Sequence, residues 1–123
     1  MIGKLRKFMY DLASFISPHH VIRCKLPKST LLQYKGIGVI ISQYAKIGEG
    51  CKIYHNVTIG QEPVGTNQCP VIEDNVTIYP GCVIVGAITI GHDSIIGANT
   101  FINHNIPPNS TVYTQQNLVI KTK

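Results

Sequence analysis

Three residues able to carry out acid–base chemistry occupy equivalent places in a repeating sequence pattern. His55, Asp74 and His92 each follow an isoleucine by two residues. An imidazole has a reference pKa of about 6.5 and accepts protons near neutral pH, and a neighbouring carboxylate orients it and stabilises the imidazolium. We therefore predict His55 as a general base and Asp74 as its catalytic partner, provided that the fold stacks them on one edge.

The elements that position these residues follow from a six-residue period. Four residues after each isoleucine stands a small or β-branched residue, and three after it usually a Gly, Asn or Asp, which tolerate a positive φ. A strict period of six fits neither an amphipathic helix nor an alternating strand, but it fits a stacked-repeat solenoid. The sequence therefore predicts an all-β parallel β-helix of three hexads per coil, after a short N-terminal α-helix. The anchor residues are Ile41, Ile47, Ile53, Ile59, Ile72, Ile78, Ile84, Ile90, Ile96 and Ile102.

One interruption of the period affects the candidate site. The step from Ile59 to Ile72 is thirteen residues, with Gly, Pro, Asn and Gln in the segment 61–70. We interpret it as two hexads plus one residue, so that a loop at 61–70 replaces one whole rung and leaves the prism. On that interpretation His55, Asp74 and His92 share one edge in successive coils, spaced by about 4.8 Å at the backbone.

Composition narrows the class of protein. The 123 residues contain eleven Lys and Arg against six Asp and Glu, a net charge of +5. No nucleic-acid-binding module is recognisable, so we predict no nucleic-acid partner; the basic ends favour anionic small molecules or a membrane surface. The four cysteines have no CxxC spacing, and Cys51 and Cys82 occupy the small-residue position of the repeat. We expect Cys51 and Cys82 to be packed in the interior. We also expect the protein to be located in the reducing cytoplasm.

Three segments are predicted. Residues 1–30 form an N-terminal amphipathic helix and connector, residues 31–112 the β-helix with its loop, and residues 113–123 a C-terminal tail. In the helix the apolar residues Ile2, Leu5, Phe8, Leu12 and Phe15 have helical spacing. The helix either covers one end of the solenoid or, over residues 2–17, contacts a membrane surface peripherally. Its charges argue against a transmembrane span, and no cleavage site indicates a signal peptide.

The segment from Gly38 to Pro108 carries a family resemblance. It reads GVIISQYAKIGEGCKIYHNVTIG, then CPVIEDNVTIYPGCVIVGAITIGHDSIIGANTFINHNIPP after the loop. This pattern resembles the hexapeptide-repeat acyltransferases, and most closely their serine acetyltransferase-like branch, which includes polysaccharide O-acetyltransferases. The resemblance implies a left-handed β-helix, a homotrimer, and acetyl-CoA as cosubstrate in the groove between neighbouring prisms.

The function that this resemblance implies is acetyl transfer to a hydroxyl. Our first expectation is a surface-polysaccharide sugar as acceptor. The alternatives are the hydroxyl of serine and a non-catalytic hexapeptide-repeat protein. The acceptor is a small molecule in either enzymatic case.

The resemblance also implies positions for the site. Histidine positions of the serine acetyltransferases correspond here to Lys35 and Cys69, and that of related sugar acetyltransferases to Tyr34. Tyr34 and Lys35 are therefore further candidate bases beside His55, and His104 is another candidate. Contacts to the cosubstrate are implied at four positions, which are Pro80, Ala98, Asn103 and His104 in this chain. No metal is expected, because the spacing of His55, His92 and His104 differs from the ligand pattern of the γ-type carbonic anhydrases, which share the prism.

Overall fold

The structure is a computed structural model that describes residues 2–16 and 20–123, with the backbone alone described for residues 10–16. It contains one α-helix, thirteen short β-strands and a 3₁₀ turn at Gln33–Gly36. In chain order the elements are α1 Ile2–Ile16, β1 His20–Ile22, β2 Leu31–Leu32, β3 Val39–Ile41, β4 Lys46–Ile47, β5 Lys52–Ile53, β6 Thr58–Gly60, β7 Val71–Ile72, β8 Thr77–Ile78, β9 Val83–Val85, β10 Thr89–Ile90, β11 Ile95–Ile96, β12 Phe101–Ile102 and β13 Thr111–Val112.

The strands form the three faces of a triangular prism. Face 1 has the order β1-β3-β6-β9-β12, face 2 the order β10-β7-β4, and face 3 the order β13-β11-β8-β5-β2. All pairings are parallel, and successive strands of the chain pass from face 1 to face 2 to face 3. The fold is a left-handed parallel β-helix with a short N-terminal α-helix, as the hexad pattern and the resemblance predicted.

The predicted anchors fill the interior in three columns. On face 1 the column consists of Ile41, Ile59, Ile84 and Ile102, each no more than 1% exposed. Faces 2 and 3 have corresponding columns, and the small residues of the hexads lie buried between them. Each rung buries its apolar side chain only against the rungs above and below, so stacking of coils supplies the core.

The corners of the prism use left-handed backbone at the third position after an anchor. Gly81, with φ +75°, shows why the residue type matters: an added Cβ would collide with Oδ1 of Asn99 in the next coil. Asn105 is an exception among the residues predicted for this role. It does not adopt a positive φ, and its Oδ1 accepts a hydrogen bond from Thr89 N at 2.9 Å. The corner residues with positive φ include Gly50, Asn56, Asn75, Gly81, Asp93 and Asn99.

The loop at 61–70 does not replace a rung, so that interpretation of the thirteen-residue step is wrong. Strand β6 lies on face 1 and the next strand, β7, lies on face 2, which is the ordinary next face. The step is therefore one hexad plus seven extra residues that bulge out at the corner. Within the loop, Glu62 N donates to Gln68 O at 3.2 Å and Thr66 Oγ1 to Pro63 O at 2.7 Å.

The β-helix begins earlier than residue 31. Strand β1 pairs with β3 over His20–Ile22 and Val39–Ile41, which makes it the first rung of face 1. The hexad pattern does not reach this rung, because the segment between β1 and β2 departs from the period of six. The connector predicted within 1–30 is thus partly a coil of the prism.

Candidate functional site

The three edges of the prism collect different polar residues. The first edge, which joins face 3 to face 1, carries Tyr34, His55, Pro80 and Ala98, each two residues after a face 3 strand ends. The second edge joins face 2 to face 3, and the third edge joins face 1 to face 2. Each candidate residue of the sequence analysis can be placed on one of these edges.

His55 and Asp74 lie on different edges, so the predicted base–carboxylate pair is not formed. Ile53 is in register with Ile78 on face 3, whereas Ile72 is in register with Ile47 and Ile90 on face 2. Asp74 therefore occupies the second edge together with His92, and His55 occupies the first edge. The physical reason is the loop. It adds seven residues to an ordinary hexad, so β7 lies on face 2 and not on face 3, where a replaced rung would have put it.

The contacts of Asp74 are those of a structural brace. Its Oδ1 accepts a hydrogen bond from Glu49 N in the preceding coil at 2.8 Å. A Cβ at Gly48 would collide with the same carboxylate, so the two coils approach closely here. One coil further on, the Nδ1 of His92 lies 2.7 Å from Oδ2 of Asp93, and both side chains are half exposed. The second edge is thus held by local polar contacts.

His55 is held by an aromatic ring on its own edge. The Tyr34 and His55 rings are perpendicular, with centroids 5.2 Å apart. The Nδ1 atom of His55 is buried and has no hydrogen-bond partner among the described residues. A substrate therefore cannot reach this ring nitrogen. Perpendicular packing is one of the arrangements that aromatic rings favour.

The backbone beside His55 is strained. Tyr34 has φ 51° and Lys35 has φ 57°, and the following Gly36 has φ 71°. A left-handed conformation costs a non-glycine residue about 1–2 kcal/mol, and consecutive outliers of this kind concentrate at functional sites. Tyr34 and Lys35, both exposed, were alternative base positions in the sequence, and the fold brings them to the edge of His55.

The four positions expected to contact the cosubstrate divide between two edges. Pro80 and Ala98 lie on the first edge, in the two coils that follow His55. Asn103 and His104 follow β12 on the third edge, where both are exposed and His104 Nδ1 lies 3.4 Å from Asn103 Oδ1. The third edge also carries the loop at 61–70. Since both edges border face 1, these groups flank the same face of the prism.

Three of the four cysteines are buried. Cys51 and Cys82 are fully buried, and their Sγ atoms donate to Glu73 O at 3.1 Å and Gly97 O at 3.0 Å. Burial raises the pKa of both thiols, and other backbone groups, at Val76 beside Cys51 and at Thr100 beside Cys82, offset this only in part. Both are therefore packed as predicted, and in the protonated form that is a poor nucleophile. Cys69, at the second family histidine position, is also buried.

An aromatic pair beside the first edge was missed by the sequence analysis. The rings of Tyr54 and Tyr79 stack with centroids 4.8 Å apart and planes within 20°. Each residue directly follows an anchor isoleucine of face 3, and Tyr54 directly precedes His55. The signal was available in the hexads, because equivalent positions in successive coils are neighbours.

Comparison with known proteins agrees with this architecture. The family model described as "Bacterial transferase hexapeptide (six repeats)" matches residues 69–104. Over this segment the chain is similar to the hexapeptide-repeat transferases. Among curated proteins, it is 41% identical over 76 residues to a serine acetyltransferase of Mycobacterium tuberculosis, covering 61% of this chain and 33% of that protein. It is 35% identical over 91 residues to a plasmid serine acetyltransferase of Synechococcus elongatus, covering 66% of this chain and 28% of that protein.

Solved structures extend the similarity of this hexapeptide-repeat chain to nearly all of its prism. Serine acetyltransferase isoform 3 of Entamoeba histolytica, in complex with cysteine, has a TM-score of 0.69 and 34% identity, covering 86% of this chain and 36% of that one. Soybean serine acetyltransferase complexed with serine has a TM-score of 0.68 and 32% identity, covering 80% and 39%. The chain spans about a third of the length of the curated relatives named above.

The described residues contain neither a membrane-spanning helix nor a metal-binding cluster. None of the helices in residues 2–16 and 20–123 is long and apolar enough to cross a membrane. Within the same residues no cluster of three or more His, Cys, Asp or Glu side chains could hold a metal ion. The histidines considered as zinc ligands, His55, His92 and His104, lie on three different edges.

Proposed function

We propose that this hexapeptide-repeat protein transfers an acetyl group from acetyl-CoA to the hydroxyl of a small acceptor, with serine as the first acceptor to test. The observation that carries the proposal is the arrangement of the first edge. Strained backbone places Tyr34 against His55 there. In the next two coils of the same edge stand Pro80 and Ala98, at positions where the family resemblance implies contacts to the cosubstrate. Similarity to serine acetyltransferases favours serine over the polysaccharide sugar that we expected from the sequence.

A homotrimer would complete the site. Face 1 presents an outward row in register across its strands, formed by Val21, Ile40, Thr58, Val83 and Phe101. Its apolar members Val21, Ile40 and Phe101 are 44%, 50% and 60% exposed. Burying such a row between copies is favourable, and cyclic symmetry is the usual closed arrangement. It would also bring the third edge of one copy, with His104 and the loop, toward the first edge of the next.

In the proposed mechanism His55 acts as the general base. Nε2 accepts the proton of the acceptor hydroxyl as its oxygen attacks the thioester carbon, and the resulting imidazolium returns the proton to the departing CoA sulfur. The Tyr34 ring, perpendicular to the imidazole, holds its orientation. Because Nδ1 contacts no carboxylate of the described residues, we expect the contribution of His55 to be at the lower end for general base catalysis, about 100-fold.

Paired substitutions of His55 test this role. We expect His55→Ala and His55→Gln each to lower kcat by about 100-fold, measured as release of CoA thiol from acetyl-CoA with serine. His92→Gln, on the second edge, is the matched control and should keep its activity. If His55→Gln remains nearly as active as the wild type, Nε2 does not accept the proton, since the glutamine amide nitrogen can only donate.

The same assay separates the candidate functions. Thiol release with serine supports the proposal, whereas release only with sugars would return the acceptor to the polysaccharide class. Binding of CoA without turnover on any acceptor would indicate a non-catalytic member of the family. Variants of the loop at 61–70 should change KM for the acceptor more than for acetyl-CoA, if the loop faces the neighbouring first edge.

A further inference from the structure

Helix α1 presents an apolar stripe to solvent. In its first two turns the four apolar residues Ile2, Leu5, Phe8 and Met9 are 77%, 61%, 61% and 56% exposed. Their spacing of three and four residues puts them on one side of the helix. Exposing so many large apolar groups along one stripe is unfavourable in water, so this side is expected to be covered in the functional state.

The basic residues of α1 are arranged around that stripe. Lys4 and Arg6 stand one residue before and one after Leu5, so they project about 100° to either side of it. Lys7 lies on the remaining side, and no acidic residue stands in the first turn. Long basic side chains that flank an apolar stripe can extend toward phosphates while their methylene groups stay in the apolar layer.

Charge along the whole chain is polarised toward the same end. Residues 1–48 contain eight Lys and Arg and one acidic residue, Asp11, whereas residues 49–123 contain three Lys and five acidic residues. Arg23, Lys25 and Lys28, which belong to the first coil, are all exposed. The net charge of +5 therefore arises from the helix and the first coils.

We infer that α1 binds the surface of an anionic lipid bilayer, lying in the plane of the interface with Ile2, Leu5, Phe8 and Met9 inserted among the acyl chains. The apolar stripe supplies burial, and the flanking basic residues supply attraction to acidic headgroups. The charge pattern favours this occupant over a second copy of the helix, because two such helices would bring their basic residues together. The inference is independent of the proposed acetyl transfer.

Flotation of the 123-residue chain with lipid vesicles tests the inference. The protein should bind vesicles that contain phosphatidylglycerol and should bind vesicles of phosphatidylcholine alone at least tenfold more weakly. Raising the salt concentration should release it. Lys4→Gln with Lys7→Gln should weaken binding by about tenfold or more, whereas Lys121→Gln with Lys123→Gln, an equal charge change in the tail, should leave it unchanged. Leu5→Ser with Phe8→Ser should abolish insertion without altering the circular dichroism of the β-helix.

Several outcomes would overturn the inference. Absence of vesicle binding by the wild type would do so, as would equal binding to both kinds of vesicle. An equal loss with the tail variant would show attraction by net charge alone. If Leu5→Ser with Phe8→Ser instead lowers the mass of the protein in sedimentation without a change in lipid binding, the stripe packs against another copy of the chain.

Discussion

Replacement of Asp74 distinguishes a corner brace from a catalytic carboxylate. In the structure its Oδ1 accepts a hydrogen bond from Glu49 N at 2.8 Å on the second edge, away from His55. Hydrogen bonds to charged groups contribute about 1.5–3 kcal/mol. Since both residues are exposed, solvent reduces this, and we expect Asp74→Ala to lose about 1–2 kcal/mol of stability.

Asp74→Asn is the decisive variant, because the amide oxygen can still accept from Glu49 N. Its loss of stability should stay below about 0.5 kcal/mol, and its kcat per folded protein should equal that of the wild type. Asp74→Ala should lower the Tm by about 4–8 °C while kcat of the folded fraction is unchanged. The measurements are thermal unfolding followed by circular dichroism and thiol release well below the Tm.

One result would refute the register argument. If Asp74→Asn keeps the wild-type Tm and loses about 100-fold in kcat, Asp74 acts on the base and the two residues cannot lie on different edges. Glu73→Gln is a suitable control, since Glu73 Oε1 likewise accepts a backbone hydrogen bond, from His92 N at 3.0 Å. Glu73→Gln should also lose less than about 0.5 kcal/mol of stability and keep the kcat of the wild type.

Three further outcomes are expected. Gly81→Ala should cost about 2 kcal/mol or more in urea unfolding, because its φ of +75° disfavours a Cβ that would also collide with Asn99; a neutral effect would contradict the corner geometry. Burial raises the pKa of Cys51 and Cys82 above that in the unfolded chain. The contribution of these protonated thiols to the free energy of unfolding is therefore complete below about pH 8.5 and is lost as pH rises through the folded pKa. The Cys51→Ala, Cys82→Ala double variant should therefore show a shallower alkaline loss of stability, although it is less stable at neutral pH, and an identical slope would be inconsistent with buried thiols. Replacing residues 61–67 by a short Gly-Ser segment, with the buried Cys69 and Pro70 retained, should leave the β-sheet circular dichroism and Tm nearly unchanged, whereas unfolding would show that the loop supports the core.

The fold was predictable from the sequence because each hexad carries its own structural information. An isoleucine, a small residue and a left-handed corner recur together, so the three columns follow from local chemistry. The burial of Ile41, Ile53 and Ile78 confirms that the anchors line the interior, whereas the predicted columns after the loop were shifted by one face. Even the packing of Cys51 and Cys82 follows from their phase in the repeat.

The candidate site was less predictable because it depends on chain segments outside the repeat. A step of thirteen residues can be one hexad plus seven or two hexads plus one, and nothing in residues 61–70 decides between them. The same limit applies to Tyr34, since the segment from β1 to β2 departs from the period. The contact between Tyr34 and His55 therefore emerged only from the three-dimensional arrangement.

The extra residues between Gly60 and Val71 have a consequence for how such a protein could diversify. They leave and re-enter the prism at one corner, so β6 and β7 keep their usual faces and hydrogen-bonding neighbours. Segments of other lengths and compositions could be exchanged at this corner without changing the face on which any later strand lies. New chemistry at the corner can thus evolve separately from the stability of the β-helix.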